Sequence, residues 1–483
     1  MVSATTDGVS HALREAIDWH MSGRTDEAAA RYREILVGEP NNALAAHPLG
    51  VLLLQARAYA EAAEQLARAV ASAPRWGEAW NNLGVSLRHL GRTPEAIVAF
   101  RTAVRERPAL FDAHNNLAES LFETEDLRGA MDVANVAHSL DPNHASPLVT
   151  LGAIHLMDRA YAEAIECSRA AVALDPTNER AAALYRTARS GLVDPWHIAM
   201  VNETSRNDAY DAAIRRAVTP GALVFEIGTG TGILAMMAAR AGAGRVVTCE
   251  MLAPVAEKAR AIIERNGYAD RITVHHSHST EMNVGVELPA RASVMISEIF
   301  DSNVVGEGVL TSLEDAHLRL LEPDAKLVPQ AASPMIVLAA GPLLSSMVRV
   351  DSCAGFDLSP FNDFTPERVM FDGTRIAFEE LSAPTRALRF DFRERRHPPT
   401  ERVVDMEVTR SGLCLGVVQW LHIELDGESV YENRPGVRVD SSSGWLHALF
   451  TFEEAVSVRE GQALRVRVGH GRQALYVRFV SVV

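Results

Sequence analysis

Apolar and polar residues follow three different patterns along the chain, and the changes of pattern divide it into three parts. The first part repeats amphipathic helical stretches, and the middle part has short apolar runs that end at glycines or acids, as buried strands do. From about residue 325, segments such as "RALRFDF" (386–392) alternate apolar and polar residues and predict antiparallel strands. We therefore expect a helical, an α/β and an antiparallel β domain over residues 7–190, 191–324 and 325–483.

The helical part is built from a repeated unit. Proline recurs at a strict spacing of 34 residues, and small residues keep the same register. The unit "AWNNLGVSLRHLGRTPEAIVAFRTAVRERP" (79–108) predicts two amphipathic helices that meet near Gly91 and end at a proline. About five such units over residues 7–176 resemble the tetratricopeptide repeat, a solenoid whose stacked units bury the core and leave a concave groove. The prolines are Pro40, Pro74, Pro108, Pro142 and Pro176.

Two asparagines, Asn82 and Asn116, occupy the same position in neighbouring units. In tetratricopeptide domains this position faces the groove, where Asn amides can hold an extended peptide backbone. The resemblance therefore implies a peptide in the groove and repeats that recruit a protein substrate. The alternative is that both are ordinary polar surface residues.

The stretch "GALVFEIGTGTGILAMMAARAGAGRVVTCEM" (221–251) predicts a strand, a glycine turn, a helix and a second strand. Glycines allow a tight turn and a close approach of the backbone to a ligand. Glu250, at the end of the second strand, is placed to accept both ribose hydroxyls of a nucleoside. Ser279 and Thr280 follow the third strand and are placed to edge an adenine. The turn glycines are Gly228, Gly230 and Gly232.

Glu226 leads this turn in the pattern E-x-G-x-G-x-G, which differs from the G-x-G-x-x-G of dinucleotide sites. The pattern resembles the S-adenosylmethionine loop of class I methyltransferases, whose sulfonium cofactor tolerates nearby acids. The resemblance implies a Rossmann-like fold with S-adenosylmethionine as cofactor. The histidines at 275, 276 and 278 lack an acid or cysteine partner at a convincing spacing, so we expect no metal site.

Two acids, Glu298 and Glu307, stand nine residues apart in "SEIFDSNVVGEGVL" (297–310). The apolar run before them predicts a fourth strand, and ligands of open α/β sheets bind at the carboxyl ends of the strands. We therefore expect this acidic loop to overhang the cofactor crevice. The alternative is a solvated pair of acids without function.

The loop resembles the double-glutamate hairpin of protein arginine methyltransferases, and the resemblance extends over roughly residues 193–483. It implies that Glu298 and Glu307 grip the planar guanidinium of an arginine, and that one of them finally accepts a proton. Such a grip would leave the reacting nitrogen with more lone-pair character. Activation is needed because the pKa of arginine is about 13 or above.

The upstream segment "WHIAMVNETSRNDAY" (196–210) carries residues at the intervals of the same family. A straight helix rotates residues three apart by about 60° from one another, so we expect the segment to bend or break and to cover the site as a lid. The resemblance implies that Arg206 pairs with the cofactor carboxylate. It implies further cofactor contacts from His197 and Met200, and substrate contacts from Glu203 and Tyr210. The alternative is an amphipathic linker helix.

Trp445, in "SSGWLHALFTF" (442–452), takes the place of the tryptophan in the family's Thr-His-Trp loop and is expected at the substrate pocket. Gly444 stands where the family usually has a His that braces the lid acid, which leaves the methylation type open. The turn-rich segment 345–369 lies where the family carries a dimerisation arm. The resemblance is consistent with a homodimer, and a plain surface excursion is the alternative.

Composition narrows the choice of partners. The formal charge of −15 disfavours nucleic acid, whose phosphates need clustered basic residues, and suits a cationic substrate. Four scattered cysteines indicate a reducing compartment. The N-terminus has no apolar leader and the chain has no long apolar stretch, so we expect a cytoplasmic protein without a membrane span.

The sequence thus predicts a protein arginine N-methyltransferase that uses S-adenosylmethionine. Two alternatives stay open. One is a repeat scaffold whose transferase half binds cofactor but is inactive, and the other is a methyltransferase for a small molecule or another side chain.

Overall fold

The computed structural model describes residues 2–193, 195–436 and 445–483, with side chains from residue 11 onward except at 195 and 196. The chain divides into two compact units, Met1–Val193 and Asp194–Val483. Gly444, which the sequence singles out, lies outside the described residues. Within the described ranges, no helix is both long enough and apolar enough to cross a bilayer.

The first unit is an array of helix pairs, as the 34-residue period predicts. Its described residues form five pairs of helices followed by one more helix, and the second helix of each pair packs against the first. The predicted all-α solenoid is therefore confirmed. The helices are α1 Val2–Met21, α2 Thr25–Gly38, α3 Ala43–Gln55, α4 Tyr59–Ser72, α5 Gly77–His89, α6 Thr93–Glu106, α7 Phe111–Glu123, α8 Leu127–Leu140, α9 Ala145–Met157, α10 Tyr161–Leu174 and α11 Glu179–Leu192.

Two glycines and a tryptophan hydrogen bond show how one helix pair of the repeat is held together. A Cβ added at Gly84 would lie 2.5 Å from the ring of Phe100, so α5 and α6 approach closely only because the glycine has no side chain. Gly91 turns the chain between them with a φ of +74°, which glycine adopts without strain. The indole N–H of Trp80 donates to the carbonyl of Pro74 at 2.8 Å and ties the start of α5 to the preceding turn.

The second unit begins with two short helices and an open sheet of five parallel strands in the order β3-β2-β1-β4-β5. This is the predicted Rossmann-like arrangement. The strand order reverses between β1 and β4, and the ligand crevice of such sheets lies there, at the carboxyl ends of the strands. The elements are α12 Pro195–Asn202, α13 Thr204–Ala217, β1 Leu223–Ile227, α14 Ile233–Arg240, β2 Arg245–Glu250, α15 Ala253–Arg265, β3 Ile272–His276, β4 Ala292–Ser297, α16 Val309–Arg319 and β5 Leu321–Val328.

From residue 331 onward the described strands pair in an antiparallel manner, as the alternating pattern predicts. One sheet has eight strands around β6 and β14, and a second has three. A single apolar core runs from the parallel sheet into these strands and includes Ile296 and Leu421. Closure into a barrel stays a prediction. The elements are β6 Ala331–Ala340, α17 Pro342–Val348, β7 Ser352–Cys353, β8 Phe356–Asp357, β9 Arg368–Phe371, β10 Glu379–Glu380, β11 Thr385–Arg386, β12 Phe390–Asp391, β13 Thr400–Glu407, β14 Gly412–Glu424, β15 Val430–Glu432, β16 His447–Val458, β17 Ala463–His470 and β18 Leu475–Val482.

Candidate active site

The glycine turn connects β1 to α14 at the carboxyl edge of the parallel sheet. Gly228, Gly230 and Gly232 all have positive φ values, of 84°, 51° and 80°. A Cβ at Gly228 would lie 2.5 Å from the Ile299 side chain, so the turn requires glycine there for space as well as for conformation. The turn therefore presents bare backbone to the crevice.

Two acids flank this turn in different environments. Glu226 is buried in β1, neither of its carboxyl oxygens has a hydrogen-bond partner among the described residues, and burial raises its pKa to about 8. Glu250 ends β2, where its carboxylate accepts hydrogen bonds from the backbone amides of Gly230 at 3.1 Å and Leu252 at 3.0 Å. Glu250 therefore shapes the glycine turn, a contact that the sequence pattern did not reveal.

The end of β3 supplies further polar groups to the same edge. Ser279 is buried and its hydroxyl has no partner within the described part of the chain, as is also true of the Thr231 hydroxyl in the glycine turn. Thr280 is exposed and its hydroxyl lies 2.6 Å from a ring nitrogen of His278. Together with the Glu226 carboxyl, the hydroxyls of Ser279 and Thr231 suit a polar nucleoside ligand, because such a ligand can form the hydrogen bonds that the protein does not supply to them.

The segment upstream of the sheet breaks, as the residue intervals predict. Helix α12 ends at Asn202, α13 begins at Thr204, and Glu203 between them has an extended conformation with φ −77° and ψ 103°. His197 and Met200 lie on α12 and are both partly buried, and Met200 packs against the apolar core. The break is confirmed, and the lid role stays a prediction.

Arg206, on the first turn of α13, forms a buried ion pair with Glu298. Its Nε donates to Glu298 Oε1 at 2.8 Å, and a second guanidinium nitrogen contacts Oε2 of the same carboxylate. Asn207 accepts from Arg206 at 2.6 Å, and the ring of Tyr210 lies 4.9 Å below the guanidinium. Burial lowers the pKa of Arg206, but an arginine in such a pair stays cationic. The structure thus joins two residues that the sequence suggested separately, 92 positions apart.

Asp301 organises the loop that carries the two acids. Its side chain accepts hydrogen bonds from the backbone amides of Asn303 at 2.9 Å and Gly306 at 3.1 Å. A Cβ at Gly306 would lie 2.3 Å from the Asp301 carboxyl carbon, so the turn closes only around glycine. Val304 has a φ of 73°, which is rare for a β-branched residue and indicates a backbone held by its surroundings.

The two glutamates flank this turn and differ in exposure. The Glu298 side chain is 5% exposed and belongs to the ion pair with Arg206. Glu307 is exposed, has a φ of 57°, and is followed by Gly308 at the start of α16. The loop therefore presents one buried and one accessible carboxylate.

The antiparallel strands hold this loop from behind. Gln419 in β14 donates to the carbonyl of Ser302 at 2.8 Å, and Trp445 stacks on Phe300 with ring centroids 5.8 Å apart. Trp445 is buried, so the structure places it against the hairpin. Gln419 could not be predicted from the sequence, since one polar residue in an apolar strand has no distinctive spacing.

Glu203 is held by a residue that the sequence did not suggest. The phenol of Tyr431 on β15 donates to Glu203 Oε1 at 2.6 Å, and both residues are buried. The ring of Tyr431 packs against Trp445 at 5.5 Å between centroids. Tyr210, predicted at the substrate, is fully buried and its hydroxyl has no partner within the described ranges.

The asparagines of the repeats bond to the preceding repeat. Asn82 Nδ2 lies 3.1 Å from a ring nitrogen of His47, and Asn116 Nδ2 donates to Asn81 Oδ1 at 3.0 Å. Each link joins residues 35 positions apart. These amides therefore already have partners within the array.

No group of three or more His, Cys, Asp or Glu side chains among the described residues is arranged to hold a metal ion.

Comparison with known proteins shows where this chain stands. A family model described as tetratricopeptide repeat matches residues 22–75, 48–111 and 83–145. A second model, described as ribosomal protein L11 methyltransferase, matches residues 211–328. The two models fall on the helical array and on the parallel sheet.

Curated relatives give the family. The chain is 34% identical over 280 residues to the arginine N(omega)-methyltransferase of Streptomyces achromogenes subsp. streptozoticus, covering 57% of this chain and 76% of that enzyme. It is 32% identical over 262 residues to protein arginine N-methyltransferase 7 of Drosophila grimshawi, covering 49% and 37% respectively. The mouse protein of that name is 44% identical over 154 residues, covering 30% of this chain and 22% of its own. The chain belongs to the arginine N-methyltransferase family, and it spans less than half of the two relatives numbered 7.

A solved structure supports the fold. The Trypanosoma brucei PRMT1 enzyme-prozyme heterotetrameric complex with AdoHcy matches with a TM-score of 0.51 at 21% identity, covering 60% of this chain and 95% of that one. Family membership confirms the prediction of an S-adenosylmethionine-dependent methyltransferase.

Proposed function

We propose that this chain methylates a guanidinium nitrogen of a protein-borne arginine, with S-adenosylmethionine as methyl donor and with the repeats recruiting the substrate. The buried pair of Arg206 and Glu298 carries the proposal. The carboxylate already accepts a planar guanidinium side-on in a desolvated setting at the carboxyl end of β4. A site that holds one guanidinium in this way has the shape and charge to hold another.

The two glutamates are assigned to the substrate. Ionised Glu298 would fix the guanidinium by charge-assisted hydrogen bonds, and Glu307 would complete the clamp from the other side of the Asp301 turn. Both acids draw positive charge toward the nitrogens that they hold, which leaves the remaining nitrogen more nucleophilic. We assign eventual proton acceptance to Glu307, because it is exposed and can pass the proton to water.

Arg206 controls access to Glu298 under this proposal. A substrate guanidinium cannot occupy both carboxylate oxygens while Arg206 does, so Arg206 must turn at least one N–H group toward another anion. The carboxylate of the methyl donor is an anion of this kind. Arg206 would then serve both ligands, which accounts for its burial and its stacking on Tyr210.

The orphaned polar groups at the sheet edge fit the cofactor. S-adenosylmethionine supplies an electrophilic methyl group on its sulfonium when bound. The turn glycines would let the backbone approach it, Glu226 would meet its amino group, and the remaining groups would contact ribose, adenine and the methionine end. The proposed cofactor residues are His197, Met200, Arg206, Glu226, Gly228, Gly230, Gly232, Glu250, Ser279 and Thr280, and the proposed substrate residues are Glu203, Tyr210, Trp445, Asn82 and Asn116.

Free arginine is a second candidate acceptor. One relative, of which this chain covers 76%, is named an arginine methyltransferase, whereas two others are named protein arginine methyltransferases. The helical array favours the protein-borne substrate, since repeat grooves bind peptides.

The test compares acceptors directly. The full chain is incubated with isotopically labelled S-adenosylmethionine and, separately, an arginine-rich protein, a short arginine peptide and free L-arginine, and products are identified by mass spectrometry. Labelled arginine in protein or peptide supports the proposal, and label in free arginine alone supports the second candidate. If no acceptor is labelled although the chain binds donor, the chain is an inactive scaffold or a methyltransferase for an acceptor other than arginine.

We also propose that the segment 345–369 contributes to a homodimer. It carries three exposed aromatic side chains, Phe356, Phe361 and Phe364, which are 70%, 67% and 76% accessible. Exposed aromatic residues in a cluster are typical of an association surface. Light scattering of the wild type and of a variant with all three changed to Ser tests this, because a dimer held by this segment becomes monomeric in the variant.

A further inference from the structure

The hydrogen bond between Tyr431 and Glu203 has no function among those proposed so far. Glu203 lies at the break between α12 and α13, three residues before Arg206, and Tyr431 comes from the short strand β15, 228 positions later. Their oxygens are 2.6 Å apart, which is short for a neutral pair and typical of a hydroxyl that donates to a carboxylate. The bond therefore fixes an acid of the predicted lid to the antiparallel strands.

Only one oxygen of Glu203 is satisfied in this way. Oε1 accepts from Tyr431 and, at 3.3 Å, from the hydroxyl of Ser205, whereas Oε2 is buried and has no partner within the described part of the chain. A buried carboxylate oxygen without a partner is costly, and a cationic donor relieves the cost. Glu203 is also one of the acids close enough to Arg206 to act on its charge. The unsatisfied oxygen thus belongs to an acid within electrostatic reach of the Arg206 guanidinium.

The support behind Tyr431 is rigid. Its ring packs on Trp445, which stacks on Phe300 of the acidic loop. Asn433, two residues further on, accepts from the amide of Leu421 at 2.8 Å and donates to the carbonyl of Trp445 at 3.3 Å. The phenol is therefore held in one place, and its hydroxyl can select one orientation of the Glu203 carboxylate.

We infer that Tyr431 is a positioning residue for acceptor recognition: its phenol holds Glu203 so that the free carboxylate oxygen meets the substrate guanidinium beside Glu298. The inference rests on the proposed function and adds a third acid, with its own orienting group, to the two acids of the loop. Tyr431 does not touch the substrate in this account and acts through Glu203.

A double-mutant cycle of Tyr431→Phe and Glu203→Gln tests the inference. Tyr431→Phe keeps the ring and its packing and removes only the donor. We expect it to lower kcat/KM for an arginine peptide roughly tenfold, in the range of a hydrogen bond to a charged group. We expect about a hundredfold loss for Glu203→Gln. The kcat/KM of the double variant should lie within about threefold of that of Glu203→Gln alone, because the phenol then has no carboxylate to orient toward the substrate.

Binding measurements separate positioning from a purely structural role. Isothermal titration calorimetry should show peptide affinity for the chain saturated with S-adenosylhomocysteine falling about tenfold in Tyr431→Phe, while affinity for S-adenosylhomocysteine itself stays within twofold. Tyr476→Phe is the matched control: Tyr476 also donates to a glutamate, Glu401, at 2.8 Å, on the exposed strand β18. That variant should match the wild type in every assay.

Three results would overturn the inference. They are unchanged peptide affinity in Tyr431→Phe, losses that multiply in the double variant, and a drop in Tm with parallel losses of peptide and cofactor binding. Because binding is measured without turnover, the result does not depend on finding the natural acceptor. If Glu298→Gln abolishes methylation and Tyr431→Phe changes nothing, the inference fails and the proposed function stands. If peptide binding depends on Tyr431 but no acceptor is methylated, the inference stands and the proposed function fails.

Discussion

The two asparagines that the sequence offers as ligand-binding residues in the repeat array and the acids near the sheet edge differ in whether their polar atoms have partners. In the array, Asn82 and Asn116 bond to the preceding repeat, so the polar groups that the sequence offers for a ligand already have partners. Near the sheet edge, Oε2 of Glu203 and both carboxyl oxygens of Glu226 are buried and have no partner among the described residues. A bound ligand can therefore stabilise the acids near the sheet edge more than the asparagines of the array, because burying polar groups without partners costs free energy. Buried polar atoms without a partner also occur in the array, for example Gln65 Oε1 and Asn115 Oδ1, but among the described residues the carboxyl oxygens without a partner belong to Glu203 and Glu226. The presence of unsatisfied acids is therefore the feature that marks the reacting site.

The largest expected effect comes from Glu298→Gln. The change removes the charge that holds a guanidinium, and we expect kcat to fall on the order of 10²–10³-fold, as when one charge-stabilising group of an active site is lost. Arg206 would lose its ion-pair partner, so Tm and cofactor affinity are measured alongside the rate.

Glu322→Gln is the control for this change, since Glu322 is exposed on β5. Normal turnover in Glu298→Gln would contradict the clamp. Loss of folding in that variant would shift the test to Glu307→Gln, which lies on the exposed side of the loop.

The next effect follows from the shape of the acidic loop. Gly306→Ala places a Cβ against the Asp301 carboxylate and should displace the loop. Because misplacing a catalytic group by about 1 Å can cost 10²-fold, we expect a loss of that order in kcat with cofactor affinity kept. Gly471→Ala is the control, since a Cβ there meets nothing within 4 Å. A wild-type rate in Gly306→Ala would show that the turn does not set the position of the acids.

The buried acid of the glycine turn should make stability depend on pH. Burial raises the pKa of Glu226 from 4.5 to about 8, so the folded chain binds an extra proton between these values. The contribution of Glu226 to the unfolding free energy should therefore be largest below pH 4.5 and fall as pH rises toward 8, by about 1.4 kcal/mol per pH unit within the window. Chemical denaturation at several pH values checks this, and Glu226→Gln should flatten the profile. An equal slope in the variant would assign the dependence to other groups.

The smallest effect is expected in the array. Asn116→Ala removes the donor to Asn81 and should lower the unfolding free energy by about 1 kcal/mol, without changing the rate on a short arginine peptide. Asn143→Ala, at an exposed turn, is the control. A large rate loss on the short peptide in Asn116→Ala would contradict the view that the link between Asn116 and Asn81 stabilises the array and takes no part in the reaction.

Periodic features of the sequence predicted the fold, but contacts between residues far apart in the chain could not be predicted from it. The spacing of prolines defined the repeats, and the intervals from His197 to Tyr210 predicted a bend or break within that segment, which the structure locates at Glu203. The hydrogen bonds of Tyr431 and Gln419 left no pattern, because they join residues 228 and 117 positions apart on elements whose pairing depends on the whole unit. Asp301 was within reach of sequence reasoning, since Asp side chains in loops often accept from the backbone two residues further on and so favour turns, as Asp301 does from Asn303.

The offset of 35 positions in the asparagine links has a consequence for how the array can vary. Each link runs from one position of a unit to the neighbouring position of the unit before, so removing one whole unit, such as residues 75–108, would bring Asn116 opposite His47. The new junction would again pair an amide with a ring nitrogen. The array can therefore lose this module while the new junction keeps a matched polar pair, so its removal needs no redesign of the two surfaces that it brings together.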